Sequence, residues 1–236
     1  MKSEFFWRSQ KHLGAFVAVG VSLIGIGAYA NAKQTRERLA LSATVLDEVM
    51  KAPDKGIPDE LLQSSHCVAV IPGFKKGAFI VSGQYGKGFL TCRKGSGWSA
   101  PAAIRAEGGG IGLQFGGSES DLVLLVMNAR GAERLMSSQF TIGADGQVAA
   151  GPVGRTARAE TDAKFTAEIL SWSRSRGVFA GIALNGATLR TDEDENADLY
   201  GKKMNTKEVI EGTHRTPPSG QPLIKILTRY SPRREQ

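Results

Sequence analysis

Residues 67–117 constrain this chain more than any other stretch. They read CVAVIPGFKKGAFIVSGQYGKGFLTCRKGSGWSAPAAIRAEGGGIGLQFGG. Short runs of Val, Ile, Phe and Tyr are separated by glycine, by Pro72 and by paired basic residues. Such runs read as short β-strands joined by tight turns. A helix is disfavoured here, because each interior glycine costs about 1 kcal/mol relative to alanine. The chain carries 29 glycines in 236 residues, well above the usual share of about 7 %. Their clustering among β-branched and aromatic residues places them in strands and turns, not in a disordered linker.

The N-terminus reads as a targeting segment and is set aside from the fold. Lys2, Arg8 and Lys11 precede an apolar run over residues 13–30. Two small-x-small sites follow, Ala28-Tyr29-Ala30 and Ala30-Asn31-Ala32, and cleavage after Ala32 is preferred. No Cys follows to carry a lipid, and no twin Arg precedes. Residues 1–32 are therefore expected to be a secretory signal peptide that sends the chain to the periplasm or cell envelope. An uncleaved membrane anchor is the alternative, since the run has roughly the length that spans a bilayer.

Residues 33–51 read as an amphipathic helix. Leu39, Ala43, Leu46, Val49 and Met50 share one helical face, with Arg36, Glu37, Arg38, Asp47 and Glu48 off it. Pro53 ends the helix, and Pro58 starts a short one. The β region over 52–201 then supplies strands at 67–71, 78–85, 89–93, 102–106 and 111–115, with a turn at Gly73–Gly77 and a tight turn or bulge at Gly86-Lys87-Gly88. Residues 121–128 form the most apolar strand, and 129–139 a helix. Residues 165–173 and 178–189 look like a long hairpin. Thr191 caps an acidic helix reaching Tyr200. A helical tail over 202–236 contains short helices near 205–211 and 223–230. The expected fold class is α+β and β-rich: a single domain of mostly antiparallel short strands with flanking helices.

Reactive chemistry is sparse. Cys67 and Cys92 are the only cysteines, and export would place them in an oxidising compartment. They either bridge two neighbouring strands or sit apart as small buried residues. No metal site is expected: two separated cysteines and the distant His66 and His214 make no ligand set. Asp192-x-Asp194-x-Asn196-x-Asp198 resembles the start of a calcium loop. Ala197 stands where that loop needs Gly, and Lys203 where it needs its bidentate Glu. The segment reads instead as an acidic helix N-terminus. Phosphate-loop, dinucleotide and serine-nucleophile motifs all fail. Nothing in the spacing of Asp121, Glu160 and Asp162 singles them out for acid–base work. No enzyme activity and no cofactor are expected.

Charge remains as the functional signal. The formal net charge is +7 and the isoelectric point about 9.5, which favours anionic partners. Lys75, Lys76, Lys87, Arg93 and Lys94 recur at expected turns, with Phe74 and Trp98 close by in sequence. If those turns share one edge they form a positive rim, suited to an anionic phospholipid surface. The alternative is a set of ordinary solvated turns, in a structural or protein-interaction module whose charge is incidental. Nucleic acid is disfavoured by export and by the absence of a recognition motif.

Three of these stretches also carry a family resemblance. The run from CVAVIPGFKKGAFIVSGQYGKGFLTCR through GWSAPAAIRAEGGGIGLQFGGSESDLVLLVMN, then SRSRGVFAGIALNGATLR and DLYG, resembles the SYLF domain family over roughly residues 39–201. That family includes yeast actin-patch proteins. The resemblance implies a lipid-binding or actin-binding module, with a basic amphipathic helix ahead of the domain. The matching helix here mixes Lys33, Arg36 and Arg38 with Glu37, Asp47 and Glu48. In an exported chain no actin is expected. The reading is thus a non-enzymatic domain on anionic phospholipid in the envelope, with an envelope protein as the alternative partner.

Overall fold

The computed structural model describes residues 13–52, 56–78, 81–111, 116–146, 148–152, 167–175, 178–181 and 186–232, with backbone alone over 13–29 and at a few hairpin ends. The expected signal peptide therefore lies almost wholly outside the described side chains, as do Glu160, Asp162 and Phe115.

In chain order the elements are α1 (Leu13–Lys51), α2 (Asp59–Ser64), β1 (Cys67–Ala78), β2 (Val81–Lys94), β3 (Gly97–Trp98), β4 (Ala102–Ile111) and β5 (Gly116–Val126). There follow α3 (Ala129–Leu135), β6 (Gln139–Thr141), β7 (Val148–Ala150), β8 (Ile169–Ser175), β9 (Val178–Gly181) and β10 (Thr188–Thr191). The chain closes with α4 (Glu193–Tyr200), α5 (Thr206–Glu211) and α6 (Gln221–Tyr230). The α+β, β-rich class holds. The strands form one sheet in the order β6-β10-β4-β2-β1-β5-β8-β7, with β3 added to β2 and β9 to β8. All pairings are antiparallel except β7 with β8.

Chain length forces this sheet to curl. A flat sheet would hold β9 and β10 six strand spacings apart, about 29 Å. The residues between Gly181 and Thr188 reach at most roughly 25 Å. The link from β6 to β7 makes the same crossing. The two links run together, with Ile142 N–H donating to Ala187 O at 2.8 Å and Gly186 N–H to Ile142 O at 3.1 Å.

Curling gives the sheet an inner and an outer face, and the central strands are buried on both over 67–71 and 122–126. On β1, Cys67, Ala69 and Ile71 face an inner core shared with Leu90, Ile104, Leu124 and Phe140, which α3 and α5 cap through Leu135, Val209 and Ile210. Val68 and Val70 face an outer core with Phe89, Val123 and Trp172, covered by α1, α2 and α6 through Leu39, Leu46, Leu62, Leu223 and Leu227. Burial on both faces explains why 67–71 and 122–126 are continuous apolar runs. Helices after Gly201 thus complete both cores.

Several expected turns are strand interiors. Residues 73–77 lie within β1, and 86–88 within β2. Proline removes a ladder donor and belongs in a central strand only at a bulge. Pro72-Gly73 is that bulge: the register of β1 against β5 shifts between Ile71 and Phe74, and Gly73 has φ +61°. The extra residue reverses the alternation, so Phe74 turns into the inner core and is fully buried. A Cβ on Gly86 would lie 2.8 Å from the Ile71 and Phe74 side chains, and one on Gly88 would overlap the Val70 carbonyl. These glycines serve close strand approach, not turning. The triple glycine 108–110 likewise runs through β4 without a break. The long hairpin is replaced by a short β8–β9 hairpin. Residues 188–191 cross to the far side of the sheet and pair with β4.

Helix ends follow local chemistry. Asn128 accepts from Gly131 N–H at 2.8 Å to cap α3. Asp192, not Thr191, caps α4 through Glu195 N–H, while the Thr191 hydroxyl bonds that of Thr206 at 2.8 Å. Asn205 and Glu208 make a reciprocal capping box on α5. The amphipathic face read from 33–51 is buried, and α1 extends upstream of Lys33 as continuous helix.

Cys67 and Cys92 pair directly across β1 and β2 and are disulfide-bonded into the inner core. The bond closes a loop with a sequence separation of 25, which stabilises by about 3 kcal/mol on the chain-entropy estimate. The Cys67→Ala/Cys92→Ala double variant should keep the fold and lose about that much stability in urea unfolding. Reduced wild type should fall to a similar level; equal stability of variant and oxidised wild type would refute a stabilising bridge.

Candidate functional site

Alternation along β2 sorts the expected basic rim onto different faces and ends. Even positions point inward and odd positions outward. Lys94, inward, donates to the Glu211 carbonyl at 2.7 Å and to that of Gly212, closing the C-terminal end of α5. Arg93, outward, is a structural clamp. Its guanidinium donates to the Gln63 carbonyl at 3.2 Å, the Ser231 carbonyl at 3.1 Å and the Ser231 hydroxyl, and it stacks 4.1 Å from the Trp98 ring centroid. Burial lowers the Arg93 pKa from its ordinary value. Arg93 and Lys94 lie at the far end of β2, roughly 26 Å along the strand from Tyr85. The seven residues therefore do not form one rim.

Phe74 is corrected from an interface residue to an inner-core residue, because its side chain has no exposure. Trp98 is half-buried under Arg93 against the outer core. Lys87 is corrected from a lipid-facing cation of the rim to an ion-pair centre. Its ammonium lies 2.8 Å from Asp192 Oδ2 and 3.1 Å from Glu195 Oε1. Burial alone would lower its pKa, but the hydrogen bond to Asp192 and the charge of Glu195 outweigh burial and raise it. Lys75 and Lys76 remain exposed at the Pro72 end, and neither is ion-paired among the described residues. Lys75 shares the outer face with Tyr85, its partner across the ladder, whereas Lys76 lies 5.7 Å from the buried Phe74 ring.

Around Lys87 the outer face opens into a cleft of about 530 Å³, walled by α1, β1, β2, β5 and α4. Arg38 of α1 donates to Glu195, and Thr35 donates to Asp198 Oδ2 at 2.8 Å. These two contacts, one turn apart, seat α1 against α4. Lys75, Tyr85 and Glu119 form the outer lip. Tyr85 is 47 % exposed, unusual for a large aromatic residue in this domain. Glu195 is 5 % exposed, and its Oε2 has no hydrogen-bond partner among the described residues.

Behind the lip, Gly73 N–H donates to Asp121 Oδ1 at 2.9 Å, and Arg174 Nε donates to Asp121 Oδ2 at 2.7 Å. Arg174 also reaches Glu48 of α1. The bulge is thus tied to α1 through two charged residues. Burial raises the Asp121 pKa; the Gly73 N–H opposes the shift and the Glu119 charge adds to it.

The acidic run 192–198 is occupied internally. Asp192 holds Lys87, and Asp194 pairs with Lys203 at 2.8 Å, which lowers the Asp194 pKa. Asn196 accepts from Ala103 N–H and donates to Met204 O, each at 2.8 Å. No group of three His, Cys, Asp or Glu among the described residues is placed to hold a metal. Tyr200, Asp198 and Gly201 of the DLYG motif have structural roles: Tyr200 donates to Pro101 O at 2.6 Å, and Gly201 ends α4 at φ +77°. Sequence reading missed Arg38, Thr35, Glu195 and Asp198 as a set. Their one visible signal is polar residues one turn apart on the flank of an otherwise amphipathic α1.

Comparison with known proteins places these features in a family. The sequence model of the family described as "Ysc84: Las17-binding protein actin regulator" matches residues 107–230. Protein YSC84 of Saccharomyces cerevisiae is 34 % identical over 179 residues, 74 % of this chain and 38 % of that protein. LAS seventeen-binding protein 3 of the same yeast is 34 % identical over 179 residues, 74 % of this chain and 39 % of its own. SH3 domain-containing YSC84-like protein 1 of Mus musculus is 31 % identical over 185 residues, 78 % of this chain and 54 % of its own. The chain spans about half the length of these relatives or less.

Removing Lys87 leaves two buried carboxylates without their shared cation. Lys87→Met should destabilise the domain by about 2–3 kcal/mol, below the full cost of breaking a buried pair because Lys87 is partly exposed. Its raised pKa sets the pH window: the contribution is present below the ordinary lysine value of 10.5 and is lost as pH rises through the folded-state value. Urea midpoints of wild type and variant should differ steadily from pH 6 to 9 and converge in strong alkali. A constant gap through alkali would refute the ion-pair account.

Proposed function

This chain belongs to the Ysc84 (SYLF) family, and on that premise we propose that it is a non-catalytic binding domain that associates with anionic phospholipid surfaces of the cell envelope. The observation that carries the reading is the position of Lys75 and Lys76. They are exposed cations at the sheet end beside which Asn31 and Gln34 of α1 line the same cleft as Lys75 and Tyr85. Upstream of that point α1 continues as helix into the apolar residues 13–30. Cleavage after Ala32, as proposed for an exported chain, would add a terminal ammonium beside the Lys33 side chain at the same end. A retained segment would place that end against the bilayer. Either form turns the same end toward lipid. Arg93 and Lys94, engaged in holding the C-terminal helices, are left out of the lipid face, and Lys87 contributes by shaping the cleft.

A protein-interaction module of the envelope is the second reading. It is favoured by the name of a yeast relative, LAS seventeen-binding protein 3, which names a protein partner. Actin is not proposed as a partner of an exported chain.

Flotation of the protein comprising residues 33–236 with vesicles tests the lipid reading. Binding is expected to anionic and not to neutral vesicles, and to weaken as salt rises from low to physiological. Each basic residue near an anionic surface is worth about 1 kcal/mol, so Lys75→Glu/Lys76→Glu should weaken binding about thirtyfold or more. Arg93 and Lys94 are not expected to matter for the lipid contact itself. Absence of binding in every condition would leave the protein-partner reading standing.

A further inference from the structure

Across the open half of the sheet's outer face, over β10, β4, β2 and β1, we infer a docking surface for an acidic polysaccharide, one whose sugar rings carry carboxylates. It goes beyond the lipid reading and does not rest on it. The outer face divides in two. Val68, Val70, Phe89 and Val123 lie under α1, α2 and α6. Toward the Pro72 end the outward side chains are polar, and register sets them in rows. Arg190 lies directly across from Arg105, and Arg105 from Lys87. In the next outward row Thr188 faces Glu107, Glu107 faces Tyr85, and Tyr85 faces Lys75. None of these side chains is buried.

The first row carries positive charge that the protein does not neutralise. Like charges directly opposite on neighbouring strands destabilise a sheet, yet Arg105 and Arg190 share a single carboxylate. Glu107 lies 2.7 Å from Arg105 Nε and 3.7 Å from Arg190 Nε. Neither Nε has a hydrogen-bond partner among the described residues, so Glu107 acts by charge alone. Asp194 nearby is held by Lys203 at 2.8 Å, and Lys87 by Asp192 and Glu195. The two arginine side chains are 35 % and 42 % exposed, which leaves both within reach of a partner. Two guanidiniums and one carboxylate leave one net positive charge. A second carboxylate balances it, and its planar pair of oxygens fits the guanidinium fork. A phosphate dianion would reverse the sign.

The second row supplies the platform for a sugar. Tyr85 is 47 % exposed, and its ring offers an apolar face with a polar tip, on which the C–H face of a pyranose stacks. Diagonal neighbours across a ladder stand about 7–8 Å apart, so a ring on Tyr85 holds its carboxylate at Arg105. The Thr188 hydroxyl, 3.3 Å from that of Thr141, keeps acceptor capacity for sugar hydroxyls. Lys75, on the other side of Tyr85, meets the carboxylate of a following ring. From β10 to β1 is three strand spacings, about 14 Å, and a linked chain reaches the arginine pair and Lys75 together. The next outward row is Gly109, Gly83, Gly77 and Gly117 across β4, β2, β1 and β5, all exposed. A Cβ on Gly77 or Gly83 would meet nothing within 4 Å. No side chain of that row rises beside Tyr85 to keep an extended chain from lying flat.

The test uses the full chain in a neutral detergent that contains no sugar, titrated by calorimetry with tetragalacturonate, cellotetraose and inorganic phosphate. Tetragalacturonate should bind at least about tenfold more tightly than either of the others. Tyr85→Ala and Arg190→Gln should each weaken that binding about tenfold, and Tyr85→Trp should keep it. Arg190→Gln should not lower the urea midpoint, because it removes one of two opposed like charges. A lowered midpoint with unchanged binding would make Arg190 a structural residue and overturn the inference. Equal binding of cellotetraose or phosphate, or no binding of tetragalacturonate, would overturn it too. Loss of anionic-vesicle flotation in Arg190→Gln, without uronate binding in the wild type, would assign this face to lipid instead. The titrations contain no bilayer, so their failure leaves the lipid reading to its own test.

Discussion

One extra residue in the central strand organises the end of the sheet that faces α1. The Pro72-Gly73 bulge reverses which side chains of β1 point inward. It sends Phe74 into the inner core and turns Lys75 outward beside Tyr85. Both neighbouring strands adjust to it. Gly86 and Gly88 remove side chains where β1 swings close, and Asp121 of β5 reaches across to bind the Gly73 N–H. Arg174 and Glu48 then carry the tie through to α1. A bulge in this position both re-aims a side chain and adds twist. The twist serves a sheet that has to curl within the reach of its short links.

Much of the fold was legible because burial on two faces writes itself plainly into sequence. The continuous apolar runs of β1 and β5, the amphipathic stripe of α1 and the Asn205–Glu208 capping box each carry a local signal. The pairing of Cys67 with Cys92 was one of two open readings, and strand register chose it. Glycine was the ambiguous letter. Gly86 and Gly88 look in sequence like a turn around Lys87, but they mark a close approach to a strand whose bulge no local pattern announces. The hairpin expected around residues 165–189 forms only in part, as β8 with β9, since alternation cannot say that Thr188–Thr191 belongs at the other side of a curled sheet.

The candidate site was less legible, because charge is read locally and neutralised globally. Lys87 meets Asp192, more than a hundred positions away in sequence. Arg93 spends its guanidinium on carbonyls of residues 63 and 231. Counting basic residues therefore overstated the free cations: of the five at expected turns, Lys75 and Lys76 alone have no ion pair or carbonyl partner among the described residues. The fungal and vertebrate relatives are longer than this chain and are named for binding or for an additional SH3 domain. The shared part is then a module that occurs in proteins of different length.

The outer core joins the first helix to the last: Leu39 and Leu46 pack with Leu223 and Leu227, and Ser231 closes over Arg93. Contacts between the two ends of a chain carry the largest loop-closure cost and form late. During synthesis the outer core therefore stays incomplete until residues 221–231 have emerged. Until then the central strands, all present by residue 126, carry Val68, Val70, Phe89 and Val123 on a face that the last helix has yet to cover.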